Sequence, residues 1–131
     1  MIGLDTNVLV RYMVQDDLAQ SRKATMLIES LTDESPGFVS IAALLELVWV
    51  IQGCYAASKD DTVAILDRLS RTRTLRLENI EVVSKAVRVY AASRADFADC
   101  LIEASGSHVL CSHTATFDAN ASKTAGMQLI R

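Results

Sequence analysis

No apolar run in this chain approaches the roughly 18 to 20 residues that cross a bilayer, although half of its 131 residues are hydrophobic. No association with a membrane is therefore expected. The start of the chain shows no charged region followed by an apolar segment and a cleavage site, so no secretory signal is expected either. Cysteine is scarce and odd in number: Cys54, Cys100 and Cys111 form no C-x-x-C pair, which argues against a disulfide framework and against structural zinc. A reducing, cytoplasmic setting fits that usage best. Internal repeats, low-complexity tracts and linkers are all missing, and 131 residues suffice for one domain over 1–131 with a real core. Excess positive charge is missing too. The net charge is -3 and the pI about 5.3, which speaks against strong non-specific binding of nucleic acid through a basic surface. A phosphate-binding role must then rest on a few placed cations or on bound metal.

What the chain does contain is an alternation of short apolar runs with helical periodicities. Met1 to Leu4 reads as a buried strand that delivers Asp5 to its C-terminal end, where ligands gather in open α/β sheets. The plainer alternative is that Asp5 and Thr6 turn the chain and cap a helix. Asp17 and Gln20 have capping-box spacing ahead of Ala24, Leu27, Ile28 and Leu31, which predicts a helix over Leu18 to Leu31. A loop over Thr32 to Gly37, with the only proline, precedes a short strand at Phe38-Val39. Ser40 can cap a helix from Ile41 to about Gly53, whose nearly all-round apolar residues, Trp49 among them, predict deep burial. Further helices are expected from Lys59 or Asp60 to Arg71, along Ile80, Val83, Val87 and Tyr90, and from Phe97 to about Ser105, ended by Gly106 after a cap at Ser93 or Asp96. Strands are expected at Thr74 to Leu77, His108 to Ser112 and Met127 to Ile130, with a loop and short helix over Asp118 to Lys123. Such alternation predicts an α/β fold, a parallel sheet covered by helices on both faces.

Four carboxylates stand out in that pattern. Asp5 ends the first strand, Glu46 interrupts an apolar helix, Asp99 lies in the first turn of another, and Asp118 follows the fourth strand. Two unit charges about 4 Å apart repel by roughly 4 kcal/mol at an effective dielectric of about 20, so convergent acids need a cation or must hold protons. An oxygen-only set favours Mg²⁺ or Mn²⁺ over zinc. Each acid also has a plain explanation: Glu46 on a wet helical stripe, Asp96 and Asp118 as caps, Asp99 as a dipole-matched charge. A lone Glu among Leu, Val and Trp is nevertheless costly unless paired or metal-bound.

The stretches GLDTNVLVRY, FVSIAALLELVWV, ADFADCLIEA and TFD together resemble the PIN-domain ribonucleases of the VapC toxin type, in order and spacing and over nearly the whole chain. The resemblance implies a three-layer α/β/α PIN-like fold with a parallel five-stranded sheet in the order 3-2-1-4-5. It implies a metal site on Asp5, Glu46, Asp99 and Asp118, with Asp96 as an additional acid acting through water, and Thr6, Asn7 and Thr116 as supporting polar groups. The implied activity is Mg²⁺-dependent (or Mn²⁺-dependent) hydrolysis of RNA by in-line attack, leaving a 5′-phosphate and a 3′-hydroxyl. The implied partners are an antitoxin protein that places an Arg in the acidic site, and a second copy of the chain in a homodimer. Asn120 stands where similar sequences often carry a further acid, which weakens the last corner's hold on a second metal.

Arg11, just past the first motif, and Arg94, just before ADFAD, are candidates to reach a phosphate. Arg68, Arg71, Arg73 and Arg76 form the one basic cluster, and such runs are more often a solvated face. A thiol nucleophile at Cys100 beside Asp99, or at Cys111 near His113, has nothing to orient it. Two rival classes remain. An aspartyl-phosphate phosphohydrolase resembles D-x-D, whereas Asn7 follows Asp5 by two, and a PIN-like module that binds RNA or protein without cutting would need no metal.

Overall fold

The computed structural model describes every residue from Met1 to Arg131 and divides the chain into two compact units, Met1–Glu78 and Asn79–Arg131. The first unit runs β1 (Ile2–Gly3), α1 (Thr6–Val14), α2 (Leu18–Ser30), β2 (Gly37–Val39), α3 (Ile41–Tyr55), α4 (Lys59–Arg71) and β3 (Leu75–Leu77). Its three strands are parallel in the order β1-β2-β3, with Ile2 opposite Gly37 and Gly37 opposite Leu75. Each crossover is therefore a helix pair, as parallel strands require a long connection. Gly37 sits where the sheet is tightest: a Cβ there would lie 2.9 Å from side-chain atoms of Leu31 and Leu4 and 3.0 Å from Leu75. Backbone pairing of Gly37 with both neighbouring strands extends β2 back into the expected loop.

Local chemistry sets the helix starts. Asp5 is the N-cap of α1, so the capping alternative for Asp5 is realised, and the residues after it form a nine-residue helix. Asp17 caps α2 by accepting from Gln20 N–H at 3.0 Å, but the Gln20 side chain turns to Arg11, so only half of the capping box forms. Ser40 caps α3 through Ala43 N–H at 3.0 Å. Glu78, just past β3, accepts the Ile41 N–H at 2.9 Å and satisfies another open donor of the same helix. A full box of Ser58 and Asp61 opens α4, a signal the sequence pattern offered one residue before the expected start.

The second unit runs α5 (Ile80–Ala92), α6 (Phe97–His108), β4 (Ala115–Thr116), α7 (Ala119–Thr124) and β5 (Gln128–Leu129). Tyr90 of α5 meets Phe97 of α6 edge-on, ring centroids 5.6 Å apart. The strands β4 and β5 are parallel, joined through α7, with Ala115 opposite Gln128.

Three expectations need correction. The apolar stretch expected as a strand over His108 to Ser112 is a helix end and a turn: α6 continues through Gly106 to His108, Leu110 takes a left-handed φ of 67°, and Cys111 N–H returns to Gly106 O at 3.0 Å. The fourth strand lies later, and Asp118 still follows it. The opening strand is not buried: Ile2 and Gly3 are exposed and only Leu4 is covered. Trp49 is 76 % exposed, since α3 buries the stripe Ala43, Leu44, Leu47, Val48 and Ile51 and turns the face of Ala42, Glu46 and Trp49 outward. Helical geometry forces that division once one apolar stripe is committed to the core. No helix is long and apolar enough to cross a membrane.

Candidate active site

In the first unit the strand-to-helix junction at Asp5 fixes its carboxylate: Oδ1 accepts the Thr6 N–H at 2.8 Å, and the remaining oxygen has no such tie. Thr6 itself is buried. Packing of α1 on α3 then brings Asp5 and Glu46 to one cleft of about 280 Å³, lined also by Thr6, Asn7, Arg11, Cys54 and Tyr55. Glu46 is exposed, so the wet-stripe reading of this residue holds and the cost of burying it does not arise. Its place in the cleft, rather than burial, is what marks it.

Arg11 is the best-anchored cation beside that cleft. Its Nε donates to Gln20 Oε1 at 2.7 Å, and its Nη1 donates to Asp16 Oδ1 at 3.0 Å and to the Tyr55 hydroxyl at 3.3 Å. Tyr55 in turn donates to Asp16 Oδ2 at 2.7 Å. The Tyr55 hydroxyl and Asp16 raise the Arg11 pKa, while Tyr55 and Arg11 hold Asp16 below its ordinary value. Sequence reasoning missed Tyr55 and Asp16. It ended α3 near Gly53, whereas a helix running to Tyr55 aligns Glu46, Val50 and Cys54 at successive i, i+4 positions.

The second unit holds the other acids. Asp96 is the N-cap residue of α6 but makes no side-chain cap bond, and Asp99 lies in the first turn. Asp118 caps α7, its Oδ1 accepting Asn120 N–H at 2.8 Å and Ala121 N–H at 3.3 Å. Thr116 positions it by accepting the Asp118 N–H at 3.0 Å. Asp99 is pushed above its ordinary pKa by partial burial and then by the charges of Asp96 and Asp118. That crowding is the electrostatic signature of acids sharing one place. Neither unit by itself gathers three or more His, Cys, Asp or Glu side chains close enough to chelate a metal ion.

The raised Asp99 pKa has a measurable consequence. Between the ordinary value of 3.8 and the raised one, the folded state holds more proton than the unfolded state, so stability falls as pH rises through that window. In EDTA, Asp99→Asn is therefore expected to unfold at higher urea than wild type at neutral pH, with the advantage shrinking as pH falls toward 3.8. An advantage that grows toward acid would contradict the raised Asp99 pKa.

The remaining candidates behave as surface groups. Arg94 is exposed between α5 and α6. Arg71 pairs with Asp67 at 3.2 Å, Arg73 pairs with Asp33, Arg68 lies over the Tyr12 ring, and Arg76 donates to Arg73 O at 2.6 Å. These contacts occupy the basic cluster as a solvated face. Cys100 is buried, and His113 Nδ1 faces Ser112 Oγ rather than a thiol.

The PIN-domain sequence profile matches residues 2–127. The chain belongs to the PIN-domain family. PIN domains are generally nucleases and typically use divalent metal ions. No curated protein and no solved structure matches the chain. The helices and small parallel sheets are consistent with a PIN domain, and the family match runs through both compact units.

Proposed function

We propose that this PIN domain is a metal-dependent endoribonuclease, the toxin of a toxin–antitoxin pair working in the cytoplasm. The observation that carries the reading is that Asp5 and Glu46, remote in sequence, line one cleft in a chain whose family match reaches across to Asp99 and Asp118. In this reading the two units make one domain, and the strand orders β3-β2-β1 and β4-β5 are the halves of a five-stranded sheet, 3-2-1-4-5, in a three-layer α/β/α fold.

Asp5, Glu46, Asp99 and Asp118 would hold one or two Mg²⁺ or Mn²⁺ ions, with Asp96 acting through water. The donors fit: all are carboxylate oxygens, and the charges of Asp96 and Asp118, which add to partial burial in raising Asp99, are what a hard cation relieves. When bound, a divalent ion supplies a water of lowered pKa and neutralises charge building on the scissile phosphate. The chain's own part is to hold these acids fixed. Thr6 N–H keeps Asp5 turned to the cleft, Thr116 and the start of α7 fix Asp118, and Asn7 offers an amide to RNA or to ordered water. Arg11 and Arg94 supply positive charge for the backbone phosphates. Exposed apolar groups such as Trp49 offer surface for a second copy and for the antitoxin.

The test is to express the chain alone and together with its neighbouring reading frame, and to map RNA ends with and without EDTA. New 5′-phosphate ends are expected for the chain alone, and their loss with EDTA or with the partner. Unchanged RNA in every condition would replace this reading with that of a binding module.

A further inference from the structure

A second concavity of about 460 Å³ lies between α1 and α2, lined by Asn7, Val8, Arg11, Gln20, Lys23 and Ala24. It shares Asn7 and Arg11 with the cleft of Asp5 and Glu46, so the two concavities meet at these residues. The cleft contributes acids and the groove contributes cations. Lys23 is exposed at the groove and takes part in none of the ion pairs of the chain. Arg11 is a different kind of group. Its guanidinium is held at Nε by Gln20 and at Nη1 by Asp16 and Tyr55, and its Nη2 is outside those bonds. A planar group held in this way presents its Nη2 N–H groups in a set direction, which suits a phosphate oxygen better than a freely turning lysine does.

We propose that the α1/α2 groove is the entry track for the backbone of single-stranded RNA, with Arg11 and Lys23 each binding a phosphate and Tyr55 and Asp16 acting as positioning residues for Arg11. The inference rests on the nuclease reading above. A strand lying in this groove passes Asn7 as it enters the cleft, so the groove meets phosphates adjacent to the one being cut. Asp16 then does not merely cancel Arg11. It uses one face of the guanidinium and, through the Tyr55 hydroxyl, stops the side chain from turning away. Because Lys23 lies outside the lining of the Asp5 and Glu46 cleft, its contact acts on substrate affinity and leaves the chemical step alone.

The test measures binding of a short single-stranded oligoribonucleotide to the full chain in EDTA, over a range of salt, and steady-state cleavage with Mg²⁺. Arg11→Gln and Lys23→Gln are each expected to flatten the slope of log affinity against log salt by about 0.7, the value for one phosphate on a single strand. Each is also expected to raise KM by about ten-fold, the size expected of a charged hydrogen bond, and Lys23→Gln, outside the cleft, is expected to keep kcat within about two-fold. Arg71→Gln, which makes the same charge change on the solvated face, sets the baseline. Tyr55→Phe changes no charge, and is expected to raise KM by about three-fold with the salt slope unchanged, since the cation remains but is no longer held. Arg11→Lys is expected not to restore wild-type KM. Melting curves confirm that each variant is folded, and Lys23→Gln, on an exposed side chain, keeps the test open if an Arg11 variant unfolds. If wild type cuts RNA while Arg11→Gln and Lys23→Gln match Arg71→Gln, the track is wrong and the nuclease reading stands. If wild type neither binds nor cuts, both fall.

Discussion

Asp5→Asn protein is expected to cut RNA about 10²- to 10³-fold more slowly than wild type, the scale on which removing one preorganised electrostatic contact acts, while unfolding at the same denaturant concentration. The two halves of that expectation come from two atoms of one side chain. Oδ1 accepts the Thr6 N–H and caps α1. Asparagine keeps an oxygen at that position and caps helices as well as aspartate does. The second oxygen has no cap bond and carries the charge that a metal ligand needs. Asp5→Ala separates the roles from the other side: it is expected to lose activity and also about 1 kcal/mol of stability with the cap. Full activity in purified Asp5→Asn protein would remove Asp5 from the site. Cleavage lost without a trapped phosphate on Asp5 in the wild type would also set aside the aspartyl-phosphate alternative.

Asp5 caps α1 and also lines the cleft, which explains why its stretch was readable in two ways. A cap and a ligand ask for the same residue at the same junction, so the sequence pattern alone could not choose between them, and the structure shows the cap on a residue that also lines the cleft. Asp118 repeats the case at the start of α7. Asp96 differs, because it occupies the N-cap position without making the bond, and its charge instead bears on Asp99. These relations among Asp96, Asp99 and Asp118 come from a tertiary fold that periodicity does not report.

Strand positions were legible in the first unit, as at Val39 before Ser40 and at Gly3 before the Asp5 cap. They were not legible after α6. There an apolar triplet, Val109-Leu110-Cys111, has the composition of a strand but lies at an exposed turn, with Val109 70 % and Leu110 90 % accessible. Hydrophobic composition reports what a segment could bury, and here the left-handed Leu110 and the bonds back to Gly106 decide otherwise. The cleft residue Tyr55 was lost for a related reason. Gly53 resembles a helix stop, yet α3 passes through it and ends on a left-handed Ala56, whose N–H returns to Ile51 O.

Leu47→Ala is expected to destabilise the protein by about 2–5 kcal/mol, through lost burial together with the cavity left behind. Leu47 is fully buried on α3, one residue from Glu46, which is exposed on the same helix. Glu46→Gln should cost less than about 0.5 kcal/mol, as for other exposed substitutions, while removing activity. The pair tests whether α3 is divided as described: one face holding the helix in place, the other carrying an acid into the cleft. The midpoint of urea unfolding should fall for Leu47→Ala with little change in slope, because the same surface is still exposed on unfolding. At urea concentrations below its midpoint, Leu47→Ala should retain cleavage, since its Glu46 is intact. A stable but inactive Leu47→Ala protein, or an unstable Glu46→Gln protein, would mean that α3 presents its faces the other way round.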